Sequence, residues 1–157
     1  MNRKIITVLL LILVIGSVLF LALQGPKETN ALSSSVWQWA KKLGYNGTHL
    51  QFRSDIHIIE YFIVGTTTIL FCTAMGWKPW KGFLAACFFG LLEETLKNFL
   101  PTREFSRIDV FKDFLGAALA LLLILVISSI HKRRSYSHIS EESNNSQGRR
   151  SAEWERI

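Results

Sequence analysis

Three short stripes of ionisable residues are the places where this chain could do chemistry. His57, Glu60 and Tyr61 stand at i, i+3 and i+4, so a helix gathers an imidazole, a carboxylate and a phenol on one face. An imidazole beside a carboxylate suits proton transfer, because the carboxylate fixes the ring tautomer and raises its basicity. At a helix start near a membrane surface, the same residues would instead serve to offset the macrodipole. Glu93, Glu94 and Lys97 form the second stripe. Lys97 follows Glu93 at i+4 in the favourable order, whereas Glu94 points about 100° further round the helix and needs a partner on another helix or a retained proton. Glu94 is therefore the leading candidate for proton handling, and a structural ion-pair network is the alternative. Asp109, Lys112 and Asp113 again share a face, and Arg103 just before them offers a planar fork for a carboxylate or a phosphate, or else is simply solvated.

The elements that must hold these stripes are apolar blocks. The chain has 157 residues, 49% of them hydrophobic, gathered into runs that a water-soluble domain would not show. The pattern predicts an all-α fold, a four-transmembrane-helix bundle with spans at about 5–23, 57–75, 82–100 and 108–130. Such lengths match a hydrocarbon core of roughly 30 Å at 1.5 Å per residue. The first span follows Arg3 and Lys4 and reads as an uncleaved signal anchor, being longer than a signal-peptide core and lacking a small-residue cleavage step. Within the third span, Glu93 and Glu94 are expected roughly 10 Å in from Leu100. A charge at the centre of a membrane helix costs ~2.5–3.5 kcal/mol on insertion scales, so such groups face partners or a polar cavity. The three stripes fall at one membrane depth, and convergence into a single outward-opening polar pocket is the simplest account.

The net charge of +6 is distributed as the positive-inside rule asks. Arg3, Lys4, Lys78, Lys81, Lys132, Arg133 and Arg134 flank spans on one side, which predicts cytoplasmic termini in a multi-pass protein that touches anionic lipid and no nucleic acid. Ser33, Ser34 and Ser35 offer caps for a short helix in the first outer loop, with Leu32, Val36, Trp39, Ala40 and Leu43 on one side and Gln38, Lys41 and Lys42 on the other. That helix is expected to lie flat in the interface, or else to pack over the bundle. Cys72 and Cys87 read as packing residues. Residues 1–131 form the membrane domain, and 132–157, polar and rich in Ser, Asn, Glu and Arg, is expected to be a disordered cytoplasmic tail. His57, Glu60, Glu93, Glu94, Asp109 and Asp113 offer donors suited to a divalent ion, yet no spacing signature specifies one, and no metal or other cofactor is expected.

The order of His57-x-x-Glu60-Tyr61 with Gly65, then Glu93-Glu94, Pro101-x-Arg103, and Asp109 followed by Asp113 and Gly116 resembles the VanZ-like family of bacterial membrane proteins, associated with resistance to the glycopeptide teicoplanin. The resemblance covers roughly residues 55–121. It departs from the family pattern at Glu93, Lys97, Thr102 and Asp113, mostly by adding charge. What it implies is a small helical envelope protein that lowers susceptibility to lipophilic glycopeptides, with membrane lipids, lipid-linked cell-wall precursors or the lipoglycopeptide as partners. A membrane enzyme acting on a lipid headgroup or polyprenyl phosphate is the alternative. There His57, Glu60, Glu94 and Asp109 would be catalytic, and Tyr61, Glu93, Lys97, Arg103, Lys112 and Asp113 would bind. A small proton-coupled transporter is the third possibility, disfavoured because the inner halves of the spans are apolar.

Overall fold

The structure, a computed structural model, describes residues 2–23, 26–99 and 105–154. Among the described residues there are five helices and no strand: α1 (Arg3–Leu23), α2 (Pro26–Lys42), α3 (His49–Ala74), α4 (Pro79–Lys97) and α5 (Arg107–Trp154). Three stretches, Lys4–Ala22, His49–Ala74 and Arg107–Arg134, are long and apolar enough to cross a membrane, which is compatible with a membrane protein. The sequence pattern led to an expectation of four. The exception is α4, because Lys81, Glu93, Glu94 and Lys97 fall within its 19 residues and outweigh its apolar content.

Local signals fix where the helices begin and end. Thr48 caps α3: its hydroxyl accepts from the Gln51 N–H, and the Gln51 side chain accepts from the Thr48 N–H at 2.9 Å. This reciprocal box satisfies two otherwise unpaired donors and starts the helix two turns earlier than the expected residue 57. At the other end Gly76 takes φ +80°, the Gly76 N–H reaches the Thr73 carbonyl, and the Trp77 N–H reaches the Cys72 carbonyl at 2.8 Å. That Schellman closure needs a left-handed residue, which glycine supplies without a Cβ penalty. Pro79 then opens α4, where its missing N–H is no loss. Helix α4 ends at Lys97 and not at residue 100, so Glu94 lies about 5 Å from the helix end instead of the expected 10 Å. The serines expected to cap α2 lie inside it, with the Ser34 and Ser35 hydroxyls turned back onto the Ala31 carbonyl. Thr66, Thr67, Thr68 and Thr73 do the same along α3, which satisfies their hydroxyls within an apolar helix.

The chain divides into two units, Met1–Leu121 and Leu122–Ile157. In the first, Val18, Tyr61, Val64, Ala86 and Ala117 form a buried cluster joined by Val14, Phe83, Cys87 and Phe89. Small residues let the backbones approach, as in membrane helix packing. A Cβ on Gly65 would stand 2.9 Å from the Ala117 Cα, and one on Gly116 would run into the Ile58 carbonyl oxygen and the Phe62 nitrogen. Outward faces are apolar and open, with Leu9, Ile12, Leu13 and Phe20 on α1 and Ile59 and Ile63 on α3 all at least half exposed. The second unit is the remainder of α5, with exposed apolar residues such as Leu122 and Ile127 and then exposed His131, Lys132, Arg133 and Arg134. Its backbone is helical to Trp154, through the stretch that composition alone would leave disordered.

Replacing Gly116 by Val should lower the melting temperature of the detergent-solubilised protein, at a cost of about 1–3 kcal/mol, because its obstruction is backbone and cannot rotate away. Gly16→Ala in α1 is the control. Its Cβ would meet nothing within 4 Å, so thermal melts should show no loss.

Candidate functional site

The third and fourth turns of α3, the first turns of α5 and the last turns of α4 bring the three stripes together in the first unit. Tyr61, fully buried, donates its hydroxyl to Glu93 Oε2 at 2.7 Å. Glu93 Oε1 lies 3.0 Å from Lys97 Nζ, and Lys97 also pairs with Glu94 Oε1. The second oxygen of Glu94 accepts from the Ser106 N–H at 3.1 Å. His57 Nδ1 stands 2.9 Å from Asp113 Oδ1, linking α3 to α5. Glu93, Glu94 and Asp113 are at most 3% exposed and Lys97 8%, so these are buried charges held by one another and by hydrogen bonds. Glu60, half buried, is within electrostatic reach of Glu93, His57, Lys97 and Asp113.

A gap in the packing makes room for the cluster. A Cβ on Gly90 would come to 3.0 Å from both Tyr61 Cε1 and Asp113 Cβ, and to 3.1 Å from Asp113 Oδ2. The bare Cα of Gly90 lets the phenol and the carboxylate lie against α4 one turn below Glu93 and Glu94. Asp113 Oδ2 is buried and has no hydrogen-bond partner among the described residues.

A second, wetter layer lies toward the helix ends. Ser54 donates to Asp109 Oδ1 at 2.7 Å, and Ser106 Oγ accepts from the Asp109 N–H, capping α5. Lys112 pairs with Asp55 Oδ1 at 2.7 Å, and Tyr45 donates to the other oxygen of Asp55 at 2.8 Å. The Tyr45 phenol is held above its ordinary pKa by desolvation, by this hydrogen bond and by the Asp55 charge, so it stays a donor. Helix α2 rests on this layer through Ser33 to His49 at 2.9 Å and the Trp37 indole to the Gly47 carbonyl at 3.2 Å.

Of the residues singled out by type and spacing, Tyr61, Glu93, Lys97 and Glu94 form one bonded chain, the His57–Asp113 pair lies beside it with ligand atoms within 4.8 Å of Glu94, and Glu60 stands close by. Asp109 joins through Ser54 and Ser106, Lys112 sits on the more exposed rim, and Arg103 lies outside the described residues. Ser54, Ser106 and Gly90 were not anticipated. Ser106 carries a signal in the sequence, the Ser-x-x-Asp pattern of a helix start, whereas Gly90 carries none. The opposite ends of α3 and α4 hold different surroundings: a cleft of about 360 Å³ lined by Leu11, Ile15, Phe71 and Phe88, with Lys81 among its few polar groups. Comparison of the chain with family models, curated proteins and solved structures finds no match. The chemistry of the site is therefore read from its own geometry.

Proposed function

We propose that this chain is a VanZ-like integral membrane protein of the bacterial cell envelope that lowers susceptibility to lipophilic glycopeptides such as teicoplanin. Its polar cluster would meet lipid-linked cell-wall precursors or the drug near the outer leaflet. The observation that carries this reading is the convergence of charged side chains from α3, α4 and α5 into one buried cluster within an otherwise apolar bundle. Charges kept from solvent at such expense are functional candidates by default. Within the cluster, His57, Glu60, Tyr61 and Glu94 are among the residues whose order resembles the family, while Glu93, Lys97 and Asp113 stand where the chain departs from its pattern.

In this reading four helices cross the membrane. Helix α4 spans about 28 Å at 1.5 Å per residue, and its acidic pair is buried and shares the Lys97 ammonium inside the bundle, so its charge does not bar insertion. Both termini lie in the cytoplasm, as the basic flanks ask. Helix α2 lies in the outer interface, because Val36, Trp39 and Leu43 form an exposed apolar stripe while Trp37 holds the helix to the start of α3. The pairing of His57 with Asp113 favours a second reading, in which the site is catalytic and acts on a lipid headgroup or polyprenyl phosphate.

Mass spectrometry of lipid and cell-wall precursor pools, with and without the protein, separates the two. The envelope role predicts lower teicoplanin sensitivity in the presence of the protein and an unchanged lipid profile. A lipid or precursor species consumed in step with expression supports the enzyme. Unchanged sensitivity with unchanged pools overturns both.

A further inference from the structure

We propose that His57, Glu94 and Asp113 form a binding site for one divalent metal ion of borderline character, Zn²⁺ or Mn²⁺. Each residue comes from a different helix, and one ligand atom from each lies within 4.8 Å of the other two. An ion with bonds of about 2.1 Å holds adjacent donors about 3–3.5 Å apart. His57 Nδ1 and Asp113 Oδ1 stand at 2.9 Å, so an ion would take the place of the hydrogen bond between them, and the set closes on it as the Glu94 carboxylate draws toward the pair.

Two independent observations point to a cation. Asp113 Oδ2 is a buried carboxylate oxygen with no partner among the described residues, and an unmet acceptor at such a position is costly. Among the described residues the buried set also holds three carboxylates, Glu93, Glu94 and Asp113, against one ammonium, Lys97. With a neutral imidazole these residues carry a net charge of two negative units, the complement of a divalent ion. Glu94 need not give up its present partners, since each oxygen keeps a second lone pair beside the bonds to Lys97 and the Ser106 N–H. One imidazole nitrogen with two carboxylates favours a first-row divalent ion over calcium, and three protein ligands leave coordination open for water or a ligand oxygen.

The inference rests on the reading of this cluster as a working site, and it can fail separately from the envelope role. Purified full-length protein in detergent would be stripped with a chelator, reloaded with Zn²⁺ or Mn²⁺ alone, and followed by elemental analysis, competition with a chromophoric chelator, and thermal melting. The expected result is one bound ion per chain, a raised melting temperature, and binding weakened by at least about tenfold in His57→Gln and Asp113→Asn. Asp55→Asn, on the rim, should bind as the wild type does. A wild-type chain that takes up neither ion and melts at the same temperature with and without them overturns the site. So does unchanged affinity in both variants. If either variant fails to fold, the wild-type uptake and melting shift decide alone. Teicoplanin protection by a chain that binds no metal would sink the metal site and leave the envelope role standing; bound metal without protection would do the reverse.

Discussion

Lys97→Met should be among the most damaging single substitutions in this protein, costing about 3–5 kcal/mol and sharply lowering the amount of folded chain recovered from membranes. Among the described residues Lys97 is the one cation paired with both Glu93 and Glu94, and all three side chains are at most 10% exposed. Methionine fills a similar volume but leaves two adjacent carboxylates without a counter-charge, in a place where water cannot repair the loss. Removing the carboxylate charges together should restore much of the stability. The triple variant Lys97→Met, Glu93→Gln, Glu94→Gln is therefore expected to melt well above the single one, because an absent network costs less than a broken one. Fluorescence-detected size exclusion and thermal melting in detergent would measure both. If Lys97→Met alone melts within a degree or two of the wild type, the ion pairs contribute little and the cluster is not held as described.

How much of this was legible beforehand follows from what sequence spacing encodes. Apolar blocks announce helices and their approximate places, so the all-helical class could be read directly from the runs beginning at Ile5, Ile58 and Phe114. The boundaries could not, because they depend on caps. Thr48 and Gln51 draw α3 two turns earlier, and Lys97 ends α4 one turn sooner than hydrophobicity suggests. Helical spacing also tells which residues share a face but not what lies opposite. Lys112 and Asp113 are neighbours in sequence and point about 100° apart. In the fold Lys112 turns to Asp55 at the rim, while Asp113 turns inward to His57. The spacing asks of Glu94 either a partner from another helix or a retained proton; in the fold it pairs with Lys97 of its own helix and accepts from the backbone N–H of Ser106, which precedes α5. Gly90 shapes the site through an absent Cβ, and nothing in a single sequence distinguishes that glycine from any other.

Glu94→Gln separates charge from shape at the centre of the network. The substitution keeps nearly the same volume, and the amide oxygen still accepts from the Ser106 N–H. Lys97 keeps Glu93 at 3.0 Å, so no buried charge is stranded, in contrast to Lys97→Met. The stability cost should be on the order of 1.5–3 kcal/mol, the worth of one hydrogen bond to a charged group, and the protein should still reach the membrane folded. On the proposed reading its function should nevertheless be lost, because a neutral amide does not provide the negative oxygen that the proposed cation site would use. Cells carrying Glu94→Gln at wild-type abundance should then be as sensitive to teicoplanin as cells without the protein. Full protection at equal abundance would show that Glu94 serves packing alone, and that the buried charges of α4 specify how the helices dock without taking part in any chemistry at the envelope.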